Sequence, residues 1–158
     1  MMALHKDFHG VLSHIIQHVA DNYGPEELRG GLRRIGRVCY APLSERLRRD
    51  GLVALEEHWR HVFELEDGQF SLSYEDGGQV LVLQVHCCPA LAYLREKGQP
   101  VADRFCEHTR YVNEGLCHAA GYECSTEADQ ARGRCTQRFW HSGQGTEAPD
   151  GNREDQTR

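Results

Sequence analysis

Features common in membrane, secreted and nucleic-acid-binding proteins are missing from this sequence. No apolar run approaches the roughly 20 residues that a helix needs to cross a bilayer, and the opening residues MMALHKDFHG contain no hydrophobic core like that of a secretory signal. Lysine is scarce, with only Lys6 and Lys97, and no long basic run interrupts a net charge of −6. We therefore expect neither a nucleic-acid partner nor a membrane partner.

Motifs for phosphate binding and for a serine nucleophile are also missing. The pairs Gly30-Gly31 and Gly77-Gly78 lack the flanking residues of a phosphate loop, and no Gly-x-Ser-x-Gly sequence occurs. The chain has seven cysteines and ten histidines instead. Seven cysteines without a signal sequence favour free thiols or metal ligands over a disulfide framework, which predicts a reducing, cytoplasmic location.

Length and composition fit one globular domain with a core of its own. The chain has 158 residues, of which 39% are hydrophobic and 27% charged. After His141, the stretch SGQGTEAPDGNREDQTR has no apolar residue besides one alanine. We expect a single domain over residues 1–141 and a disordered tail over residues 142–158.

Hydrophobic spacing predicts an α+β fold with a helical N-terminal half. Apolar residues recur at helical intervals up to about Leu65, with breaks at Gly24-Pro25 and Pro42 and another expected at Gly51. A hairpin is expected between Phe70 and Val85, and further helices over 89–97 and 103–120. Segments 122–126 and 134–140 predict a second hairpin. The sum is a helical half packed with a four-stranded, mostly antiparallel sheet.

The first helix is expected to pack through one apolar face. That face comprises Leu4, Phe8, Val11, Leu12, Ile15, Val19 and Tyr23. The pairs His5/His9 and His14/His18 have the i, i+4 spacing of helical metal ligands, but no glutamate accompanies them as in a metalloprotease. We interpret these histidines as surface residues, and His18, at the edge of the apolar face, as the one nearest to function.

Cys88 occupies the most suggestive position in the chain. A β-rich strand delivers it to a helix whose first residue is Pro89, where free N–H groups and the helix dipole stabilise a thiolate. The sequence thus predicts Cys88 as a nucleophile or ligand, with His86 and Cys87 beside it. The alternative is a small buried cysteine at the end of a core strand, which we favour for Cys87.

One face of the helix over 103–120 is unusually polar for a core stripe. A turn of about 100° per residue places Cys106, Arg110, Asn113 and Cys117 together. Arginine suits a substrate carboxylate through its two-pronged geometry, and asparagine can orient a carbonyl. His108 lies on the far side from Cys106. The alternative is a partly exposed polar face with incidental cysteines.

Cys124 and Cys135 fall in the two strands of the last hairpin. If the strands bring them together, they could share a metal ion with Cys106 or Cys117, and three or four thiolates would make a closed zinc site. Ten residues separate Cys124 from Cys135, which is not the spacing of a zinc knuckle. We therefore expect either a bound zinc ion or no cofactor at all.

Short motifs from Val80 to Phe139 resemble the L-2-amino-thiazoline-4-carboxylic acid hydrolase-like proteins, small bacterial proteins with a helical half followed by a sheet. The likeness extends over most of residues 4–140. It is carried by Tyr23-Gly24-Pro25, Cys88-Pro89-Ala90-Leu91, Phe105-Cys106-Glu107-His108, Val112-Asn113-Glu114 and Cys135-Thr136-Gln137-Arg138-Phe139.

The resemblance implies a hydrolase that opens a cyclic C–N/C–S substrate bearing a carboxylate. Arg110 would anchor the carboxylate with Asn113 beside it, Cys88 or Cys106 would act as nucleophile, and His108 or His86 would protonate the departing sulfur. We expect a small-molecule substrate or ligand as partner, and a homodimer is left open.

The last third also resembles the ligand-binding 4-vinyl-reductase domains, through Cys124, Gly133, Cys135 and Phe139. That likeness implies the alternative function, a zinc-containing small-molecule-binding or accessory domain without turnover. A metal or haem carrier is a third option.

Overall fold

The computed structural model describes residues 5–143, which form six helices and one four-stranded sheet. Residues 144–158, most of the predicted tail, lie outside the described residues, as do residues 1–4. The helices are α1 (Phe8–Tyr23), α2 (Pro25–Cys39), α3 (Ala41–Asp50), α4 (Val53–Leu65), α5 (Pro89–Glu96) and α6 (Glu107–Ala120), and the strands are β1 (Gln69–Glu75), β2 (Val80–Cys87), β3 (Tyr122–Asp129) and β4 (Arg134–His141).

The sheet has the strand order β1-β2-β4-β3, with every neighbouring pair antiparallel. Strand β2 is an inner strand and is buried on both faces from Val80 to Leu83, as its continuous apolar run predicts. The predicted α+β class, with its helical N-terminal half and antiparallel sheet, is confirmed. No helix within residues 5–143 is long and apolar enough to cross a membrane.

Glycine and proline set the helix boundaries. Pro25 begins α2 directly after Gly24, whose φ of 91° few other residues adopt. Gly51, with φ 75°, separates α3 from α4, so the expected break is confirmed. Gly121 ends α6 in the left-handed conformation, and its N–H donates to carbonyls of the last turn. Helix α6 begins at Glu107, four residues later than expected.

Helices α2 and α6 touch through their backbones. A Cβ atom on Gly36 would collide with the carbonyl oxygen of Val112, and one on Gly115 would collide with that of Arg33. By contrast, a Cβ atom on Gly30 or Gly31 would meet nothing within 4 Å. Gly36 therefore has a packing role, because its missing side chain allows α6 to approach α2.

Helix α1 packs through a face that only partly matches the one its apolar residues predict, since, of the described residues of the predicted face, only Leu12 and Val19 are partly buried against the core. Phe8, Val11, Ile15 and Tyr23 are all exposed, with Val11 60% exposed. The buried face consists of His9, Gly10, Ser13 and Ile16. It is buried because its polar groups have partners: Ser13 Oγ donates to Pro100 O (2.9 Å) and accepts from Ala102 N (2.8 Å). Burying a polar side chain costs little when it is hydrogen-bonded in this way.

Two apolar clusters form the core. The first packs α3, α4 and α6 against the sheet around Leu47, Leu55, Leu83 and Phe139. The second joins α1, α2, α5 and α6, with Ile16 and Leu94 among its members. Tyr40 and Cys88 pack against both clusters, so they mark where the two meet.

Candidate functional site

A cavity of about 180 Å³ lies where the two core clusters meet. Its walls are mostly apolar, with aromatic side chains from α1, α4 and the segment before α6, among them Phe8, Trp59, Phe63 and Phe105. Polar side chains from distant parts of the chain face it as well: His9, Tyr40, Glu66, Cys88, His108, Thr109, Asn113 and Gln137. A mostly apolar cavity with a few convergent polar groups is typical of small-molecule sites.

A short polar contact in the cavity wall joins His9 to Glu66. His9 Nε2 lies 2.8 Å from Glu66 Oε2, and the two side chains are 6% and 13% exposed. Lys6 Nζ also donates to the backbone oxygen of Glu66 at 2.9 Å. The prediction that His9 is a surface residue is wrong, and no sequence pattern singles out Glu66.

His9 differs from the histidine that the sequence favoured. His18 is exposed and hydrogen-bonds to Asn22 one turn further along α1. His9 lies four residues before Ser13 and seven before Ile16, so the three share one face of α1, which is buried. Hydrophobic spacing does not predict that this face is buried, because two of these three residues are polar.

His108 lines the same cavity from the first turn of α6. Burial lowers the pKa of His108 to about 4, the charge of His9 acts in the same direction, and Glu66 opposes them. The imidazole is therefore neutral near pH 7 and can both donate and accept a hydrogen bond. Its side chain makes no hydrogen bond to another group among residues 5–143, which leaves it free for a ligand.

Cys88 lies between β2 and α5, as the sequence predicts, and it lines the cavity. Its N–H donates to Gly133 O at 2.8 Å, which fixes the strand end against the turn between β3 and β4. Burial raises the pKa of the Cys88 thiol, although the backbone N–H groups of Leu91 and Ala90 act against this. The expectation that the helix start lowers this pKa is wrong, because loss of solvent outweighs the helix dipole.

Asn113 connects the cavity to the sheet. Its Nδ2 donates to Gln137 Oε1 at 2.7 Å, and Gln137 Nε2 lies 3.3 Å from Cys135 Sγ. Asn113 and Gln137 are 2% and 3% exposed. Trp59 also lines the cavity, and its Nε1 is buried without a hydrogen-bond partner among the described residues.

Cys106 and Arg110 lie outside this cavity. They line a separate open groove together with Thr126, and Arg110 Nη2 donates to Thr126 O at 2.8 Å. Burial raises the pKa of the Cys106 thiol to about 12. The structure therefore does not bring the whole polar stripe of α6 into the cavity of Cys88: of Cys106, Arg110, Asn113 and Cys117, only Asn113 lines it.

Of the predicted metal ligands, Cys124 is not brought to Cys106 and Cys135, although the charge of Cys135 acts on the pKa of Cys106. In the ladder Cys124 pairs with Phe139 and Cys135 with Ala128, so the two cysteines are offset by four positions, about 13 Å along the strands. Cys124 instead lies against Cys117 of α6. Within residues 5–143 no group of three or more His, Cys, Asp or Glu side chains is placed to hold a metal ion.

The cysteines form no disulfide among the described residues, and His86 lies away from the cavity. All seven cysteines lie in the described part of the chain and all are free thiols. His86 is exposed on β2 and its Nε2 lies 3.1 Å from Ser71 Oγ, so it does not face the cavity. Of the residues predicted for chemistry, Cys88, His108 and Asn113 meet in one place, and His9 and Glu66 join them.

This arrangement is suited to proton transfer in a water-poor space. A histidine held by a carboxylate can take up a proton because the carboxylate stabilises the imidazolium. A second, neutral histidine and a thiol face the same volume.

In comparisons with known proteins, no family model matches this chain and no curated protein matches it significantly. The resemblance to thiazoline hydrolases stays a prediction.

Proposed function

We propose that this protein is a small cytoplasmic hydrolase that opens a cyclic C–N/C–S substrate of the thiazoline type in the cavity between the two core clusters. The observation that carries the proposal is the buried His9–Glu66 pair, 2.8 Å apart, in the same cavity wall as His108 and Cys88. No arginine or lysine of residues 5–143 lines that cavity. The carboxylate that the resemblance implies is therefore not part of the proposal.

The reaction adds one water across the ring bond between carbon and sulfur. The water oxygen bonds to the ring carbon that lies between sulfur and nitrogen, and His9 accepts the water proton at the ring nitrogen that Glu66 does not occupy. As the oxygen bonds, the C=N electron pair moves onto the ring nitrogen. That pair re-forms the C=N bond while the C–S bond breaks, and sulfur takes the bonding pair and the proton from His9. The remaining O–H proton moves to the nitrogen, which leaves a urea-type carbonyl. The product is an open chain with a free thiol. His108, being neutral, orients the water or the ring nitrogen through a hydrogen bond.

Cys88 has a smaller part in this scheme than the sequence predicts. A thiol whose pKa is raised by burial is mostly protonated near pH 7, and the thiolate is the nucleophilic form. Direct attack by water does not require the Cys88 thiol to ionise. In this scheme Cys88 shapes the cavity wall beside the reacting carbon, and a covalent route through its sulfur is the alternative.

Incubation of the intact protein with 2-aminothiazoline compounds tests the function. Mass spectrometry should find a product that is one water heavier and that reacts with a thiol reagent. His9→Asn should lower kcat by about 10²–10⁴-fold, the usual contribution of a general base. The matched control is His14→Asn, an exposed histidine of the same helix, which should leave kcat unchanged. Equal activity in both variants would remove His9 from the mechanism.

The variant Cys88→Ala distinguishes the two routes to the product. Direct water attack predicts that turnover persists, whereas a covalent route predicts that it is lost. An acyl-type adduct on Cys88, visible as a mass increase of the intact chain, would establish the covalent route.

A small-molecule-binding domain without turnover is the second candidate. The raised pKa of Cys88 and the lowered pKa of His108 favour it, because both leave uncharged, weakly reactive groups at neutral pH. Binding of a ring compound with no product after prolonged incubation would decide for this alternative.

A further inference from the structure

The charges facing the cavity restrict what it can hold. Five titratable side chains of the described residues line it, namely His9, Tyr40, Glu66, Cys88 and His108. Glu66 is the only carboxyl group among them, and its charge acts to raise the pKa of Tyr40, Cys88 and His108 alike. The ligand therefore meets a carboxylate and no arginine or lysine side chain.

The net charge of the cavity wall near pH 7 is zero or negative. Burial raises the pKa of Tyr40 and of Cys88, so both are uncharged, and burial lowers the pKa of His108 to about 4, so it is neutral. What remains is the carboxyl group of Glu66 with the imidazole of His9 against it at 2.8 Å, and no arginine or lysine side chain of the described residues lines the cavity beside them.

A carboxylate ligand would be unfavourable in this environment. It would leave water for a mostly apolar space with no cation to compensate it, and burying an unpaired charge costs several kcal/mol. The charge of Glu66 would add repulsion. A neutral or cationic ligand avoids both costs, and its N–H groups can donate to Glu66.

The size of the cavity limits the ligand further. The volume of about 180 Å³ is below the roughly 300–1,000 Å³ of drug-sized sites.

We propose that the cavity selects a small, neutral or cationic ring with an amidine-type N–C–N group and disfavours the same ring bearing a carboxylate. An amidine supplies the amino donors for Glu66, the one carboxyl group that the described residues place in the cavity wall. The inference rests on the proposed hydrolase function, since it names the substrate class of that same site. It departs from the carboxylated substrate that the sequence resemblance implies.

Calorimetric titration of the intact protein at pH 7 tests the selectivity with two probes, 2-aminothiazoline and 2-aminothiazoline-4-carboxylate. We expect the uncarboxylated ring to bind at least about tenfold more tightly, which corresponds to about 1.4 kcal/mol. Glu66→Gln keeps the shape of the side chain and should reduce this preference to near equality. Glu64→Gln, an exposed carboxylate on α4, should leave it unchanged.

The location of the ligand is tested without any variant in the cavity. The chain has two tryptophans, Trp59 and Trp140, and only Trp59 lines this cavity. In a ¹H–¹⁵N spectrum, 2-aminothiazoline should shift the indole N–H signal of Trp59 and leave that of Trp140 in place. Trp140→Phe assigns the two signals. A ligand that shifts neither signal would overturn the proposed location.

The outcomes separate this inference from the proposed function. Equal or tighter binding of the carboxylated ring, or an unchanged preference in Glu66→Gln, would overturn the inference even if the carboxylated ring is hydrolysed. Preferential binding of 2-aminothiazoline that depends on Glu66 would support it, whether or not turnover follows. Selective binding without turnover would count against the hydrolase alone.

Discussion

Gly36 of α2 lies directly against the backbone carbonyl of Val112 in α6, so that no side chain fits between the two helices at this point. One turn later in α6, Gly115 makes the reciprocal approach to the carbonyl of Arg33, which lies one turn earlier in α2. Both helices contribute walls or supports to the cavity, since Val112 lines it and α2 holds α6 in place. The glycine pair therefore fixes the position of His108 and Asn113 relative to the sheet.

Replacing Gly36 by alanine should destabilise the protein. The added methyl group must push α2 away from α6, and overpacking of this kind costs about 1–3 kcal/mol. The control is Gly30→Ala on the same helix, where the methyl group meets nothing within 4 Å. There the helix propensity of alanine should raise the free energy of unfolding by about 0.5–1 kcal/mol. Urea denaturation of both variants should give effects of opposite sign, and a common sign would contradict the packing argument.

Breaking the His9–Glu66 pair should also cost stability. Removing His9 leaves the largely buried carboxyl group of Glu66 without its hydrogen-bond partner, which costs about 1–3 kcal/mol. His9→Ala should lower the free energy of unfolding by about this amount in chemical denaturation. The exposed pair His118–Glu123, with side chains 54% and 45% exposed, provides the comparison. His118→Ala should cost no more than about 0.5 kcal/mol, and similar losses in the two variants would show that burial of the His9–Glu66 contact adds no stability.

The sequence predicts the helix and strand boundaries well where glycine or proline determines them. Gly24-Pro25, Gly51, Pro89 and Gly121 act through their own backbone preferences, so their effect can be inferred from neighbours in the chain. The buried face of α1 could not be inferred in this way. Its polar residues are buried because they bond to residues such as Pro100, Ala102 and Glu66, and contacts over such distances leave no periodic pattern.

In the candidate site, too, the sequence predicts the residues that local features place but not the long-range contact. Cys88 and His108 are placed by local features, a strand end and a helix start, and both line the cavity. The His9–Glu66 contact joins residues 57 positions apart, and nothing near either one predicts it. Helical spacing places Arg110 and Asn113 on the same stripe of α6. That stripe is wide enough that Asn113 faces the cavity, whereas Arg110 faces an open groove.

The cysteines should differ sharply in their reaction with a thiol reagent. Cys39 is exposed, whereas burial raises the pKa of Cys88, Cys106 and Cys135. Because the thiolate is the reacting form, these three should react much more slowly than Cys39 at pH 7.5. Mass mapping after brief iodoacetamide treatment should find Cys39 modified first, and Cys39→Ser should remove the fastest phase. Early modification of Cys88 would instead identify it as an activated nucleophile.

Stability should fall as the pH is lowered through the range in which His108 is protonated only in the unfolded chain. The folded pKa of His108 is about 4, against 6.5 when exposed. Between these values the unfolded state binds more protons, so stability rises with pH from about 4 to 6.5 and this contribution is complete above it. The difference corresponds to a loss on the order of 3 kcal/mol at the acid end.

The variant His108→Gln isolates this contribution, because glutamine can hydrogen-bond but does not titrate. Its free energy of unfolding should depend less steeply on pH than that of the wild type between pH 4.5 and 6.5. His61→Gln, an exposed histidine on α4, is the control and should keep the wild-type slope. Equal slopes in all three proteins would mean that the His108 imidazole takes up a proton in the folded state, and the neutral role assigned to it in the cavity would then be wrong.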